Sequence, residues 1–263
     1  MSGKAVAAVP APGQTGRVFL WTVMPAPGPI GALTVGATAD GLALVAFGDH
    51  PEAAAQAAER LGVPAQGPMR LPEARLDAKR AEAVAIPAVA NGATAVVEQA
   101  VAVQRAEGAP TPAGVNGVTA VLEQAAAVDR AQAAPTPAVE AVLERAVAQL
   151  REYFAGERRV FDVPLDWSLT RGSQRRVLGT LFGTVGYGET VTYGELAARS
   201  ELGSAYTAAR GVGAIMGSNP LPVVVPCHRV MAADGLGGFG GGRATKEWLL
   251  AHEGVLTGAL DFG

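Results

Sequence analysis

The chain has 263 residues and a single cysteine, Cys227, which stands in the run SNPLPVVVPCHRV, residues 218–230. A cysteine attacks carbon only as its thiolate, and a free thiol with a pKa of about 8.5 is only a few per cent ionised at neutral pH. It therefore needs a base or a positive field beside it, and His228 is the next residue. Adjacent side chains on a strand point to opposite faces, so the two cooperate only if the chain turns after Pro226 or a water bridges them. The base also needs an orienting partner on its far nitrogen. His252 and Glu253 are the candidates, at the end of RATKEWLLAHEG. Glu253 is preferred, because it can accept a hydrogen bond and stabilise an imidazolium. Both residues also have an ordinary explanation, since a lone cysteine is usually a small buried hydrophobe. Between the two motifs lies AADGLGGFGGGR, without a Walker or dinucleotide pattern around it. Its glycines let a flat ligand approach backbone amides closely.

These residues must be held by local elements. Leu221 to Val225 is apolar and β-branched, which predicts a buried strand leading into Cys227. Upstream, AVLERAVAQLREYFAGE carries Val139, Val142, Leu143, Ala146 and Leu150 near helical spacing, with Gly156 to close the helix. After an extended piece, VFDVPLDW, Ser173 can cap a helix over GSQRRVLGTLFGTV. In VTYGELAARS, Thr192 with Glu195 forms a capping box. A further helix covers AYTAARGVGAIMGS. Two short helices joined by ELGSAY suggest a helix-turn-helix, whose second helix contacts DNA, although such pairs are usually plain packing.

The N-terminal part reads differently. RVFLWTVM, GALTVGAT and GLALVAFGD have strand composition, and Asp40-Gly41 favours a tight hairpin. PEAAAQAAERLG is helical, with Pro51 at a first position and Gly62 past the end. From Thr94, TAVVEQAVAVQRAEGAPTPA recurs as TAVLEQAAAVDRAQAAPTPA from Thr119, a spacing of 25 residues, and a degenerate copy begins at Glu140. So few copies cannot bury a continuous core, so the repeat reads as a tandem-duplicated, partly disordered insert; a structured helical module is the alternative. The expected organisation is a disordered tail (1–16), a β-rich unit (17–62), the insert (63–138) and a C-terminal domain (139–263).

Composition leaves function open. The net charge is −3 and the aromatic share 5%. One cysteine cannot form an internal disulfide, Pro10 and Pro12 break the only apolar N-terminal stretch, and no run approaches a membrane-spanning length. A cytoplasmic protein without membrane attachment is expected. From Pro164 to Leu256, eight Arg and Lys oppose seven Asp and Glu. Any DNA binding must therefore rest on placement of charge and not on bulk.

PCHRV, the glycine-rich loop and KEWLLAHEG together resemble the active-site signature of the O6-alkylguanine-DNA alkyltransferases, also called methylated-DNA–protein-cysteine methyltransferases. VTYGELA, AARGVGAIM and SNP stand upstream in the order of that family. The resemblance is strong over residues 139–256 and looser over 17–62. It implies an α/β (α+β) protein: a small N-terminal RNase H-like domain, then a mainly helical domain with a helix-turn-helix and a short active-site strand. It implies single-turnover transfer of the alkyl group of O6-alkylguanine, and of O4-alkylthymine, to Cys227 after the base is flipped. By the same resemblance His228 is the base through a water, Glu253 polarises it, and Asn219 braces the turn before the active-site strand. Arg210, flanked by Ala209 and Gly211, enters the minor groove and fills the gap. Tyr193 assists extrusion and supplies a proton to the leaving guanine. Val230, Gly238, Phe239, Gly240 and Gly241 line the base pocket. The partner is double-stranded DNA bound by a monomer, and no cofactor is implied.

The sequence departs from the family in several places. The loop between Leu196 and Arg210 is about three residues longer than in familiar members, a change that would shift the first helix's contacts to the DNA backbone. Gly240 replaces a serine of some members and Phe239 a tyrosine. The structural zinc site of some members needs Cys and His in the N-terminal part, where His50 stands alone, so no metal is expected. The insert is not a family feature. Rival readings are a non-catalytic lesion sensor, against which Cys227 itself argues, a helix-turn-helix regulator with an inert thiol, and a Cys-His hydrolase.

Overall fold

The computed structural model describes residues 18–71, 137–203 and 206–256. The expected N-terminal tail and nearly all of the repeat insert lie outside the described residues. Strands β1 (Phe19–Pro25), β2 (Ala32–Thr38) and β3 (Gly41–Phe47) form an antiparallel meander. Helix α1 (Pro51–Leu61) then returns the chain to β4 (Ala65–Gln66), which pairs parallel to β1, giving the order β3-β2-β1-β4. The N-terminal unit thus runs past the expected end at Gly62. Alternation along the strands covers both faces. Leu20, Met24, Leu33, Val35, Leu42 and Val45 join the main core, while Phe19, Trp21, Ala43 and Leu44 pack with Ala54, Ala57 and Ala58 of α1. Pro51 opens α1 and Gly62 closes it in the left-handed region, as the sequence suggested.

The hairpin turn is not Asp40-Gly41. Thr38 pairs with Gly41, so Ala39 and Asp40 make the turn and Gly41 begins β3. A glycine is needed there for a different reason, close packing of backbone. Residues 164–166 run along the edge of β3, with Leu42 N–H to Pro164 O at 2.8 Å and Asp166 N–H to Leu42 O at 2.9 Å. A Cβ on Gly41 would stand 2.5 Å from the Pro164 oxygen.

The C-terminal part is mainly helical. Helix α2 (Pro137–Phe154) buries Val139, Leu143, Ala146, Val147, Leu150 and Tyr153 against the sheet, and Gly156 beyond it has φ 76°. Helix α3 (Gly172–Thr184) begins one residue before Ser173, with Arg171 at the cap position and no side-chain cap, so Ser173 is not the cap. Helix α4 (Tyr193–Arg199) does carry the capping box of Thr192 and Glu195. Helix α5 (Tyr206–Gly217) packs on α4, and α6 (Arg243–His252) packs against the 3-10 turns Gly28–Ile30 and Cys227–Arg229. Strands β5 (Val191–Thr192) and β6 (Val230–Met231) pair in parallel, tying the start of α4 to the segment after Cys227. Among the described residues no helix is long and apolar enough to cross a membrane.

The expected strand Leu221–Val225 is buried but is not a strand. Val225 N–H bonds back to Leu221 O at 2.8 Å and Val223 has φ 73°, so the segment is a turn. Pro220, Pro222 and Pro226 remove the donors that a ladder would need.

Candidate active site

Because the chain turns at Pro226, residues Cys227–Arg229 form a short 3-10 helix instead of extending. Successive side chains then diverge by about a third of a turn instead of half. His228 is fully buried, Cys227 nearly so, and both belong to the site. Asn219 closes the preceding turn from both ends: its Nδ2 donates to Val225 O at 2.9 Å, and its Oδ1 accepts from Leu221 N–H at 3.0 Å. It also draws the pKa of the Cys227 thiol down against burial.

Glu253 caps the C-terminus of α6, where its charge opposes the helix dipole, yet it is buried. Five donors converge on its carboxylate: Tyr153 Oη, His228 Nε2 and Arg229 Nη2 on Oε1, and Arg229 Nε and Gly188 N–H on Oε2, at 2.7–3.2 Å. Burial pushes this carboxyl up, but the hydrogen bonds and charges of His228 and Arg229 outweigh it and hold the group well below the usual carboxylate range. An ionised carboxylate only accepts, so His228 Nε2 carries its proton and Nδ1 is the basic nitrogen. Nδ1 has no partner among the described residues. Burial first, then the cations Arg229 and Lys246, depress the imidazole pKa against the pull of Glu253, so the ring is neutral at neutral pH.

The thiol is equally held in its neutral form. Burial raises its pKa to about 11, opposed by Asn219, by Lys246 and by backbone amides. Lys246 is itself fully buried, and its Nζ donates to the carbonyls of Val230 (2.7 Å) and Leu236. Burial brings its pKa down to about 8. Burial thus favours the neutral form of both the thiol and the imidazole. Tyr153, Arg229 and Lys246 were not singled out from sequence. Lys246 did leave a signal: with Leu249, Leu250 and Glu253 it shares the buried face of α6, a core position held by a cation.

A groove of about 1020 Å³ opens between α4, α5 and the glycine-rich loop, and Cys227 is not among the residues that line it. Its walls include Tyr193 and Gly194 of α4, Ala209, Arg210 and Met216 of α5, and Gly238, Phe239 and Gly240 of the glycine-rich loop. Tyr193 Oη donates to Gly238 O at 3.2 Å, and burial, then Cys227, raises its pKa. Arg210 is exposed at the rim, and Gly211 is exposed beside it, outside the wall. Val230 is wholly buried and does not line the groove, and neither does Gly241, which turns toward Phe47 of β3. His252 is not the orienting partner: its Nε2 bonds Tyr153 O at 2.7 Å and its ring stacks on Trp248. Among the described residues no group of three or more His, Cys, Asp and Glu gathers as a metal ion would need.

Residues 173–255 match the family described as "6-O-methylguanine DNA methyltransferase, DNA binding domain". The chain is 55% identical over 86 residues to a methylated-DNA–protein-cysteine methyltransferase of Mus musculus, covering 32% of this chain and 39% of that one. It is 53% identical over 111 residues to the protein of that name from Mycolicibacterium paratuberculosis, covering 41% and 63%. The chain thus spans less than two thirds of the length of either relative. A Mycobacterium tuberculosis OGT crystal structure in complex with DNA superposes with a TM-score of 0.49 and 26% identity, covering 90% of this chain and 92% of that one.

Proposed function

We propose that this chain, related through its C-terminal part to the methylated-DNA–protein-cysteine methyltransferases, repairs DNA by taking the alkyl group of O6-alkylguanine onto Cys227. The observation that carries this reading is a buried thiol next in the chain to a buried imidazole, whose Nε2 bonds a carboxylate held by five donors and whose Nδ1 is left without a partner among the described residues. Such a pair generates a thiolate only against an electrophile already in place. The proton passes from Sγ to His228 Nδ1 across one water, because Nδ1 has no hydrogen bond to the thiol, while Glu253 stabilises the imidazolium. The new bond from Sγ to the alkyl carbon forms as the bond from that carbon to O6 breaks, and the electron pair leaves with guanine. Tyr193, kept protonated by its raised pKa, supplies a proton toward the guanine ring. The product is a thioether, which no group in the site can hydrolyse, so each molecule acts once. O4-alkylthymine presents the same leaving oxygen and is a second substrate on this reading.

The O6 group is hidden inside a duplex, so the base must be extruded at a cost of a few kcal/mol, least for a damaged pair. Arg210, exposed on the second helix of the α4–α5 pair at the groove rim, suits the role of filling the gap from the minor groove. A single copy of the chain supplies every residue this chemistry needs.

The test is mass spectrometry of the intact protein and of its peptides after mixing with a duplex carrying O6-methylguanine. One methylene's mass, stoichiometric and on the peptide bearing Cys227, is expected. Tight binding of the duplex with Cys227 unmodified would make the protein a lesion sensor and sink the transfer.

A further inference from the structure

The glycine-rich loop that walls the groove touches a residue of the N-terminal sheet. Phe239 of that loop packs edge-on to Phe47 at the end of β3, with ring centroids 5.4 Å apart. On its other side Phe239 meets the His228 ring at 6.5 Å, again edge-on. Two residues on, a Cβ placed on Gly241 would stand 2.8 Å from the Phe47 ring, so the loop backbone lies directly against it. The two partners are held unequally. Phe47 is paired with Leu33 in the β2–β3 ladder, and Gly48 N–H bonds Ala32 O at 2.8 Å just beyond it. Residues 236–239 have no regular structure. In such a pair the sheet residue sets the position and the loop residue follows. The same strand supports the cysteine side, where Val45 N–H bonds Pro220 O at 2.8 Å in the turn that Asn219 braces.

We propose that Phe47 is a positioning residue that sets the width of the alkyl-accepting space, by holding Phe239 and the Gly241 backbone toward His228. It does not line the groove and acts through Phe239 and the Gly241 backbone. The inference rests on the alkyl-transfer reading and deepens it, since it places the control of alkyl size in the N-terminal sheet. With Phe47 shortened, Phe239 can retreat from the groove and leave room for a group larger than methyl.

The experiment compares rates of Cys227 alkylation by two duplexes, one with O6-methylguanine and one with O6-benzylguanine at the same site. In Phe47→Ala the benzyl-to-methyl rate ratio should rise about tenfold, the scale on which an apolar pocket discriminates by size. Phe47→Leu, which keeps more of the packing, should move the ratio in the same direction by less and is the variant to read if the alanine form does not melt cooperatively. An unchanged ratio, including parallel loss on both duplexes, overturns the role of Phe47 and leaves the transfer intact. Wild-type protein unmodified by either duplex overturns the transfer reading and this one with it.

Discussion

At the scale of single residues the site is a balance of burial against bonding. Cys227, His228 and Glu253 are all removed from water, and only Glu253 is given enough donors to stay charged. The effect of removing that charge follows. Glu253→Gln leaves the buried guanidinium of Arg229 without its counter-charge and removes the negative charge that stabilises an imidazolium at His228. A loss of about 3–5 kcal/mol in urea unfolding is expected from breaking a buried pair. Alkylation of Cys227 should slow about a hundredfold, the lower range for positioned acid–base groups. A variant as fast as the wild type would show that the imidazole needs no orienting carboxylate. Cys227, His228 and Glu253, the residues proposed as nucleophile, base and orienting acid, stand out in sequence because PCHRV and AHEG keep them in short runs, and the structure joins His228 to Glu253. Tyr153 was not, since it lies 100 residues from the carboxylate it bonds.

At the scale of elements, α4 and α5 present the groove. Thr192 and Glu195 cap α4 and so fix Tyr193, the first residue of that helix, while Asn219 ends the path from α5 to the cysteine. The helices were legible because caps and 3.6-residue periodicity are local. The buried segment before Cys227 was misread, because apolar β-branched composition marks burial in a strand and in a turn alike. On the proposed reading Arg210, exposed at the groove, serves binding and not chemistry. Arg210→Ala should slow repair of O6-methylguanine in a duplex about tenfold or more, on the scale of a few kcal/mol for base extrusion. Reaction with free O6-benzylguanine, which needs no extrusion, should stay within about twofold on the same ground. Rates measured on both substrates decide it, and equal losses would exclude the finger role.

At the scale of the molecule, the N-terminal sheet and C-terminal helices share one core, and residues 164–166 lie along the edge of β3. The buried site therefore contributes to global stability, with a definite pH dependence. The folded-state pKa of His228 lies below its ordinary 6.5 and that of Glu253 below its ordinary 4.5. Both groups bind fewer protons folded than unfolded, so their contribution is complete above the unfolded values and is lost as pH falls through the folded ones. The urea midpoint should fall as pH drops below about 6.5 and fall further below about 4.5. In His228→Gln the first part of that fall should vanish. A midpoint flat from pH 8 to 4 would contradict the buried neutral imidazole.

The sequence by itself determined the helices, the capping box, the meander of strands and the triplet Cys227, His228 and Glu253, because each is written in neighbouring residues or a short period. Only the tertiary structure decided how these meet. The turn through three prolines that brings thiol and imidazole onto one site depends on Asn219 reaching both its ends. The cations Arg229 and Lys246 matter because burial lets them act on their neighbours unscreened. Phe47 meets Phe239 across 192 positions of sequence, a contact that no local pattern encodes and that packing of the whole chain creates.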